Sequence, residues 1–185
     1  MSVKNIEERV LANIVRAEII DEESQTVYSF NTGSEASIKP YVSEGEEKIH
    51  RVKNTILATL RYEDILLGYE IKLVNNTFCP ELLSLIDGGT VTYDDEEKFA
   101  SYTSPVVEAK ASTTRKNLTV CLYTEELDCD GETMGYFKFT FRHAKGKPVE
   151  YTIKDGEFIV PELTLRSRAK TGESCVSVDS LKTLA

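Results

Sequence analysis

The sequence predicts a mainly β protein with one short flanking α-helix and an extended hairpin arm, on three observations. The runs Phe137-Lys138-Phe139-Thr140-Phe141-Arg142 and Val149-Glu150-Tyr151-Thr152-Ile153-Lys154 alternate apolar with polar side chains at every step. A strand turns successive side chains to opposite faces, so each run builds one apolar face and one wetted face. The same alternation recurs in Tyr69-Glu70-Ile71-Lys72-Leu73 and in Leu118, Val120 and Leu122, with Thr119, Cys121 and Tyr123 between them. Clear helix signals, by contrast, occur once, at residues 80–89.

Taken in order, the opening carries two signals. Ile6, Val10 and Ile14 recur at helical spacing, whereas Val15-Arg16-Ala17-Glu18-Ile19 alternates as a strand. The reading is an N-terminal arm over residues 1–14 that runs into a first strand. A polar turn at residues 21–25 then leads to a second strand at 26–30.

Residues 31–55 read as an extended hairpin or loop. Ser37-Ile38-Lys39-Pro40-Tyr41-Val42 is strand-like, and Pro40, which has no N–H to donate, suits an edge or a bulge. Glu44-Gly45-Glu46-Glu47 makes a charged turn, and Lys48-Ile49-His50-Arg51-Val52 returns. The segment has too few apolar residues to own a core, so it is either a mobile loop or an arm resting on another subunit.

β signals dominate residues 55–74, and the helix follows. Pro80 and Glu81 stand in its first turn, where a missing N–H costs nothing and an acidic group meets the positive end of the dipole. Leu82, Leu83, Leu85 and Ile86 line one face, and Gly88-Gly89 stops it. At about two turns it is too short to be stable alone and must plug one side of a sheet.

Thr90-Val91-Thr92-Tyr93 is a short strand that ends in the acidic run Asp94-Asp95-Glu96-Glu97, followed by a polar excursion to Lys116. After the strand at 118–123, Asp128-Cys129-Asp130-Gly131-Glu132 turns the chain into the two alternating runs, which His143-Ala144-Lys145-Gly146-Lys147-Pro148 connects. Leu163 and Leu165 alternate after Pro161, and a polar C-terminal tail over 169–185 holds a possible last strand at Val176-Ser177-Val178. There is no repeat and no evident linker, so residues 1–185 read as a single domain.

Composition narrows the function classes. With 22 Lys and Arg against 31 Asp and Glu, the formal charge is −9, which repels polyanions on average. No Lys/Arg stripe interleaved with aromatics is present, so a sequence-reading DNA or RNA binder is not expected. Acidic charge keeps a protein soluble, and beside DNA it lets the polymer pass without sticking. No run reaches the roughly 18–20 apolar residues of a membrane span. The first residues lack the apolar run of a secretory signal, and a cytosolic location is expected. Cys79, Cys121, Cys129 and Cys175 are scattered, form no C-x-x-C pair and read as free thiols. The sequons at Asn75 and Asn117 would matter only in a secreted eukaryotic protein.

No catalytic constellation stands out. Asp128, Asp130 and Glu132 resemble the start of a calcium loop, but Gly131 falls one position too early and no closing bidentate Glu follows, so a hairpin turn is the reading. His50 and His143 sit amid Lys and Arg without a nearby nucleophile and read as solvent-facing strand residues. Residues 94–97 read as a solvated loop. Gly88-Gly89 follows a helix instead of preceding one, so it is no phosphate cradle. No enzyme activity, cofactor or metal is expected.

Two blocks carry a resemblance to a known family. The first is Gly68-Tyr69-Glu70-Ile71-Lys72-Leu73-Val74-Asn75-Asn76-Thr77-Phe78-Cys79-Pro80-Glu81-Leu82-Leu83, continuing through Ile86-Asp87-Gly88-Gly89-Thr90. The second runs from Leu122-Tyr123-Thr124-Glu125-Glu126, through Gly135-Tyr136-Phe137-Lys138-Phe139-Thr140-Phe141 and Ala144-Lys145-Gly146-Lys147-Pro148, to Lys154-Asp155-Gly156-Glu157-Phe158 and Pro161-Glu162. In order and wording they resemble the tail tube (major tail) proteins of tailed phages and prophages of Gram-positive bacteria.

The resemblance implies a β-sandwich or barrel of the tail tube type, whose subunits form hexameric rings that stack into a hollow conduit for DNA ejection. It makes residues 31–55 a candidate inter-subunit arm, with Ile38, Pro40, Tyr41, Val42, Ile49 and Val52 as candidate contacts. The 1–14 arm and the 169–185 tail become candidate ring-to-ring contacts. The implied partners are further copies of the chain and other tail proteins (sheath or terminator, baseplate or tape measure). DNA would pass without specific binding, and no membrane is involved. The implied location is the virion tail, assembled in the bacterial host cytoplasm. The alternative is an all-β receptor- or glycan-binding, head-decoration or head–tail joining protein. A glycan binder wants an exposed aromatic platform, and the chain has no Trp.

Overall fold

A computed structural model describes residues 6–106 and 115–184. The chain runs as β1 (Val10–Asp21), β2 (Val27–Phe30), β3 (Gly33–Ser43), β4 (Glu47–Val52), β5 (Thr55–Arg61), β6 (Ile65–Asn75), α1 (Pro80–Asp87), β7 (Thr90–Tyr93), β8 (Phe99–Thr103), β9 (Leu118–Leu127), β10 (Thr133–Gly146), β11 (Glu162–Ser167) and β12 (Ser177–Leu181). The fold is mainly β with a single helix among the described residues, as the alternation predicts. One antiparallel sheet has the order β2-β1-β9-β10-β11-β6-β3, and β12 also pairs with β10. Two hairpins, β4–β5 and β7–β8, stand apart from it.

Alternation builds the core. Ala17 and Ile19, Ile71 and Leu73, Leu118, Val120 and Leu122, and Leu163 and Leu165 all point to one face of the sheet. Phe141 and Ala144 join them from β10, three residues apart, because a bulge interrupts the alternation between them. His143 takes a left-handed φ of 53° there. Further register shifts in β1, with Asn13 also left-handed, bend that strand against β9. Bulges increase bend and twist, and the sheet curls until a Cβ built on Gly33 of β3 would lie 3.9 Å from Ile14 Cγ2 of β1.

The helix plugs the curled face. Pro80 opens it, and Gly88 closes it at φ 81°, its N–H donating to Ser84 O at 2.9 Å. Leu82, Leu85 and Ile86 enter the core, and each contributes roughly 1.5–3 kcal/mol by leaving water. The helix approaches β10 closely at Gly146, where an added Cβ would meet Ile86 O and Cγ2 at 2.5 Å.

A buried carboxylate organises the first turn. Asp21 is 1% exposed, accepts from Glu23 N at 3.0 Å and pairs with Lys116 Nζ at 2.5 Å. Burial pushes its pKa up, but the Lys116 ammonium and the turn amides outweigh burial and hold it down at about 2.

Several expected boundaries move. The second alternating run, 149–154, is not a strand: Val149 packs against the core and Glu150 bridges to Glu162, but no residue of the run beyond Glu150 pairs with the sheet. Pro148 offers no amide, and Val149 N donates to Asp87 Oδ1 at 2.9 Å instead of to a strand. His143–Gly146, expected as part of the connector, continues β10 beyond the bulge and pairs with β11. The 1–14 arm is already β1 from Val10, bonded to β9; residues 1–5 lie outside the described residues. The 169–185 tail folds back as β12 on β10, with residue 185 outside the description. Phe99–Thr103, within the expected polar excursion, forms β8, and residues 107–114 of that excursion are outside the described residues. The 31–55 hairpin divides differently. Residues 33–43 pair with β6 in the main sheet, and 47–52 pair forward with 55–61.

Two outcomes follow from this packing. Gly146→Ala forces β10 and α1 apart and is expected to cost about 1–3 kcal/mol, read as a lower urea midpoint. Asp21→Asn is expected to cost about 1–3 kcal/mol at neutral pH. The folded pKa of Asp21 lies below its ordinary 3.8, so its contribution is complete above that value and lost as pH falls towards about 2. The stability gap between wild type and variant should close over that window in urea titrations.

Candidate assembly surface

The β3–β6 ribbon ends at the Ser43–Ile65 pair, and the chain then bends at Gly45 and Asp64 into the β4–β5 hairpin. Gly45 N donates to Asp64 Oδ1 at 2.8 Å, and Tyr62 N donates to Glu46 O at 3.0 Å. A Cβ on Gly45 would lie 1.9 Å from Tyr62 O, so only glycine fits this bend. Partners across an antiparallel pair share a face, so Ile49 and Ile56 lie on one face of the hairpin, with Val52, Ala58 and Leu60 on the other. All residues of β4 and β5 are exposed, Ile56 at 62%. A lone two-stranded hairpin is marginal in water, and this one exposes apolar side chains among charged ones on both sides. The described residues supply no cover for them.

The candidate contacts named from the sequence separate in space. Ile49 and Val52 lie on the arm. Ile38, Pro40 and Val42 lie on β3, an outer strand that bonds only to β6 among the described residues, and Pro40 suits such an edge. Tyr41 is tied into its own chain: its hydroxyl donates to Ser167 O at 2.6 Å, and the Arg166 guanidinium lies 5.0 Å above its ring. Ile56, Leu57 and Leu60 of β5 were not singled out in the sequence. Their apolar run was visible, but periodicity does not tell which chain covers a strand.

A second apolar patch comes from the run that fails to join the sheet. Ile153 is 72% exposed and Phe158 96%, while the Tyr151 ring meets Phe78 edge-on at 6.4 Å.

The polar clusters have local structural work. His143, expected to face solvent, is half-buried between two carboxylates, with Nδ1 2.9 Å from Glu22 Oε2 and Nε2 2.9 Å from Glu173 Oε2. Both ring nitrogens are engaged, and the His143 amide donates to Glu22 Oε1 at 2.8 Å, which pins the β10 bulge. Burial works to raise the pKa of Glu22, but the His143 amide, the Thr119 hydroxyl and the His143 ring together hold it below the ordinary carboxylate value. Asp128 Oδ1 accepts from Asp130 N and Glu132 N at 2.9 and 2.8 Å, the expected hairpin turn, with Gly131 at φ 84°. Burial raises the pKa of the Cys79 and Cys121 thiols, which makes them poor nucleophiles. Among the described residues no group of three His, Cys, Asp or Glu is placed to hold a metal ion, and no helix is long and apolar enough to cross a membrane.

No family model and no curated protein matches the chain. Among solved structures it is similar to a chain of the cryo-EM structure of the anti-feeding prophage (AFP) baseplate, 6-fold symmetrised. The TM-score is 0.42 and the identity 13%, over 96% of this chain and 97% of that one. A likeness at this level does not bear on function.

The exposed patch and the core should respond oppositely to truncation. Phe158→Ser is expected to leave the unfolding free energy of the isolated chain within about 0.5 kcal/mol. Leu165→Ala, in the core, is expected to cost about 2–5 kcal/mol in the same denaturation assay.

Proposed function

We propose that this chain is a structural, non-enzymatic subunit that self-assembles into stacked, hexameric rings, forming the tail tube of a phage or phage-like particle. The observation that carries the self-assembly is the β4–β5 arm, which exposes apolar side chains on both faces with no cover among the described residues. The tail tube assignment rests on the resemblance of residues 68–90 and 122–162. An arm that reaches off its own sheet onto a neighbour makes a heterologous contact, which closes into a ring or extends as a filament. The outer strands β2 and β3 offer further joints of backbone hydrogen bonds. In this reading other tail proteins cap the tube in the virion, and the −9 charge lets DNA pass without being gripped.

Magnitudes decide how many contacts such an assembly needs. Ile49, Val52, Ile56, Leu57 and Leu60 are already about half covered, so each has roughly 1 kcal/mol left to gain. Association costs an estimated 4–15 kcal/mol in lost translation and rotation. One arm, at about 5 kcal/mol, reaches only the lower end of that range, and in this reading the Phe158 patch, the open edges and ring closure add to it. Assembly should be cooperative and concentration-dependent.

Negative-stain microscopy and sedimentation velocity of the purified chain test this reading. Rings or tubes are expected above a threshold concentration. Ile56→Asp with Leu60→Asp, which charges both faces of the arm, should abolish them while leaving the circular dichroism of the fold unchanged. A chain that stays monomeric at high concentration and forms no tubes would overturn the reading; a clear glycan-array hit from such a monomer would favour a receptor-binding role.

A further inference from the structure

The outer face of the sheet carries a concentration of positive charge that this acidic chain leaves unmatched. Leu163, Leu165 and Ser167 of β11 point into the core, so Arg166 and Arg168 point outward. With Lys145 of β10, Lys170, His143 and Tyr41 they line a groove of about 590 Å³, at whose margin Glu22 and Glu173 hold His143. Arg166 is balanced by Glu70 at 2.9 Å. Lys145, Arg168 and Lys170 have no acidic partner among the described residues, although the chain has 31 Asp and Glu for 22 Lys and Arg.

A concentration of the opposite sign lies on the β7–β8 hairpin. Helix α1 covers the core face, and the β7–β8 hairpin rests on α1 through Tyr93 Oη to Glu81 Oε1 at 3.0 Å and Tyr102 Oη to Asp87 Oδ2 at 3.1 Å. The tip of that hairpin is Asp94-Asp95-Glu96-Glu97. Asp94 accepts the turn amides of Glu96 and Lys98, each at 2.9 Å, and Glu96 pairs with Lys98. The Asp95 and Glu97 side chains are exposed and have no cationic partner among the described residues.

The hairpin rests on α1, which packs on the core face, whereas the Arg166 and Arg168 side chains of the groove point outward. Two molecules placed head to tail can bring groove and tip together. We propose that the groove formed by Lys145, Arg166, Arg168 and Lys170 seats the acidic tip of the β7–β8 hairpin of a second copy of this chain. The inference rests on the self-assembly reading above and supplies one of the contacts that add to the arm. Desolvated, hydrogen-bonded charge pairs set register and suppress wrong partners, which a repeating contact needs. A nucleic-acid backbone fits the groove less well. The whole-molecule field repels it, and the Tyr41 ring, covered by Arg166, offers no platform for a base to stack on.

Charge reversal tests the pairing in the full chain. Lys145→Glu with Arg168→Glu, and separately Asp95→Lys with Glu97→Lys, should each raise the threshold concentration for assembly about tenfold or more in sedimentation velocity. The four substitutions together should restore it to near the wild-type value. All these side chains are exposed, so thermal unfolding should confirm an intact fold. A wild-type chain that never assembles overturns this inference together with the reading beneath it. Wild-type assembly that the groove reversal leaves unchanged overturns this inference alone, as does a groove defect that the tip reversal does not repair. Binding of a DNA oligonucleotide that the groove reversal abolishes, with assembly unaffected, would assign the groove to a polyanion instead.

Discussion

The 14 residues of β10 carry two edges of backbone hydrogen-bonding groups, and buried groups of this kind must find partners. The 10-residue β9 serves one edge. On the other, β12 takes Tyr136–Thr140 and β11 takes Ala144–Gly146, so no single strand covers it. The handover coincides with the bulge at His143, which Glu22 holds from the turn after β1. Gly146, at the far end, admits α1 against the core. The curl of the sheet, the docking of the C-terminal segment and the seat of the helix all depend on this one strand being paired in sections.

The same accounting marks where the chain is incomplete. Among the described residues β3 has one bonded edge, β4 and β5 pair only with each other, and residues 151–160 leave the sheet beyond a single bridge. These places also carry many of the exposed apolar side chains, from Ile56 on the arm to Phe158. Unpaired backbone and uncovered apolar surface have different energetic origins, yet one neighbouring subunit could satisfy both. In the proposed assembly their coincidence turns an exposed hairpin from a liability into a joint.

Charge is distributed with similar economy. Within the chain, cations are spent on buried or half-buried acids: Lys116 on Asp21, and Lys147 with Arg166 on Glu70. The Glu70 carboxyl is held below its ordinary pKa by those two partners, Lys147 foremost. Lys145, Arg168 and Lys170 around the groove, and Asp95 and Glu97 at the β7–β8 tip, are among the charges without an ion-pair partner among the described residues. In the proposed assembly the two groups meet head to tail, which avoids the like-charge opposition of a symmetric contact.

The alternation in 137–142, the helix from Pro80 to its glycine stop, and the Asp128 turn were legible because each depends on residues within a few positions of one another. The alternation in 149–154 was equally clear and misled, since a strand also needs an open edge, and Pro148 and Asp87 lead this segment away from one. Arm residues such as Ile56 and Leu60 lie where β signals dominate the sequence, but those signals do not tell whether a strand joins the main sheet or stands off it. The sequence by itself determined the mainly β class, the single helix, the turns and the acidic balance, all of which are sums or short-range patterns. Only the tertiary structure decided which strands pair, that Glu22 reaches His143 across 121 residues, and that Lys145, Arg166 and Arg168 share one groove. Local sequence sets which way a side chain points along its strand, whereas the partner it meets depends on which edges and faces the rest of the fold leaves open.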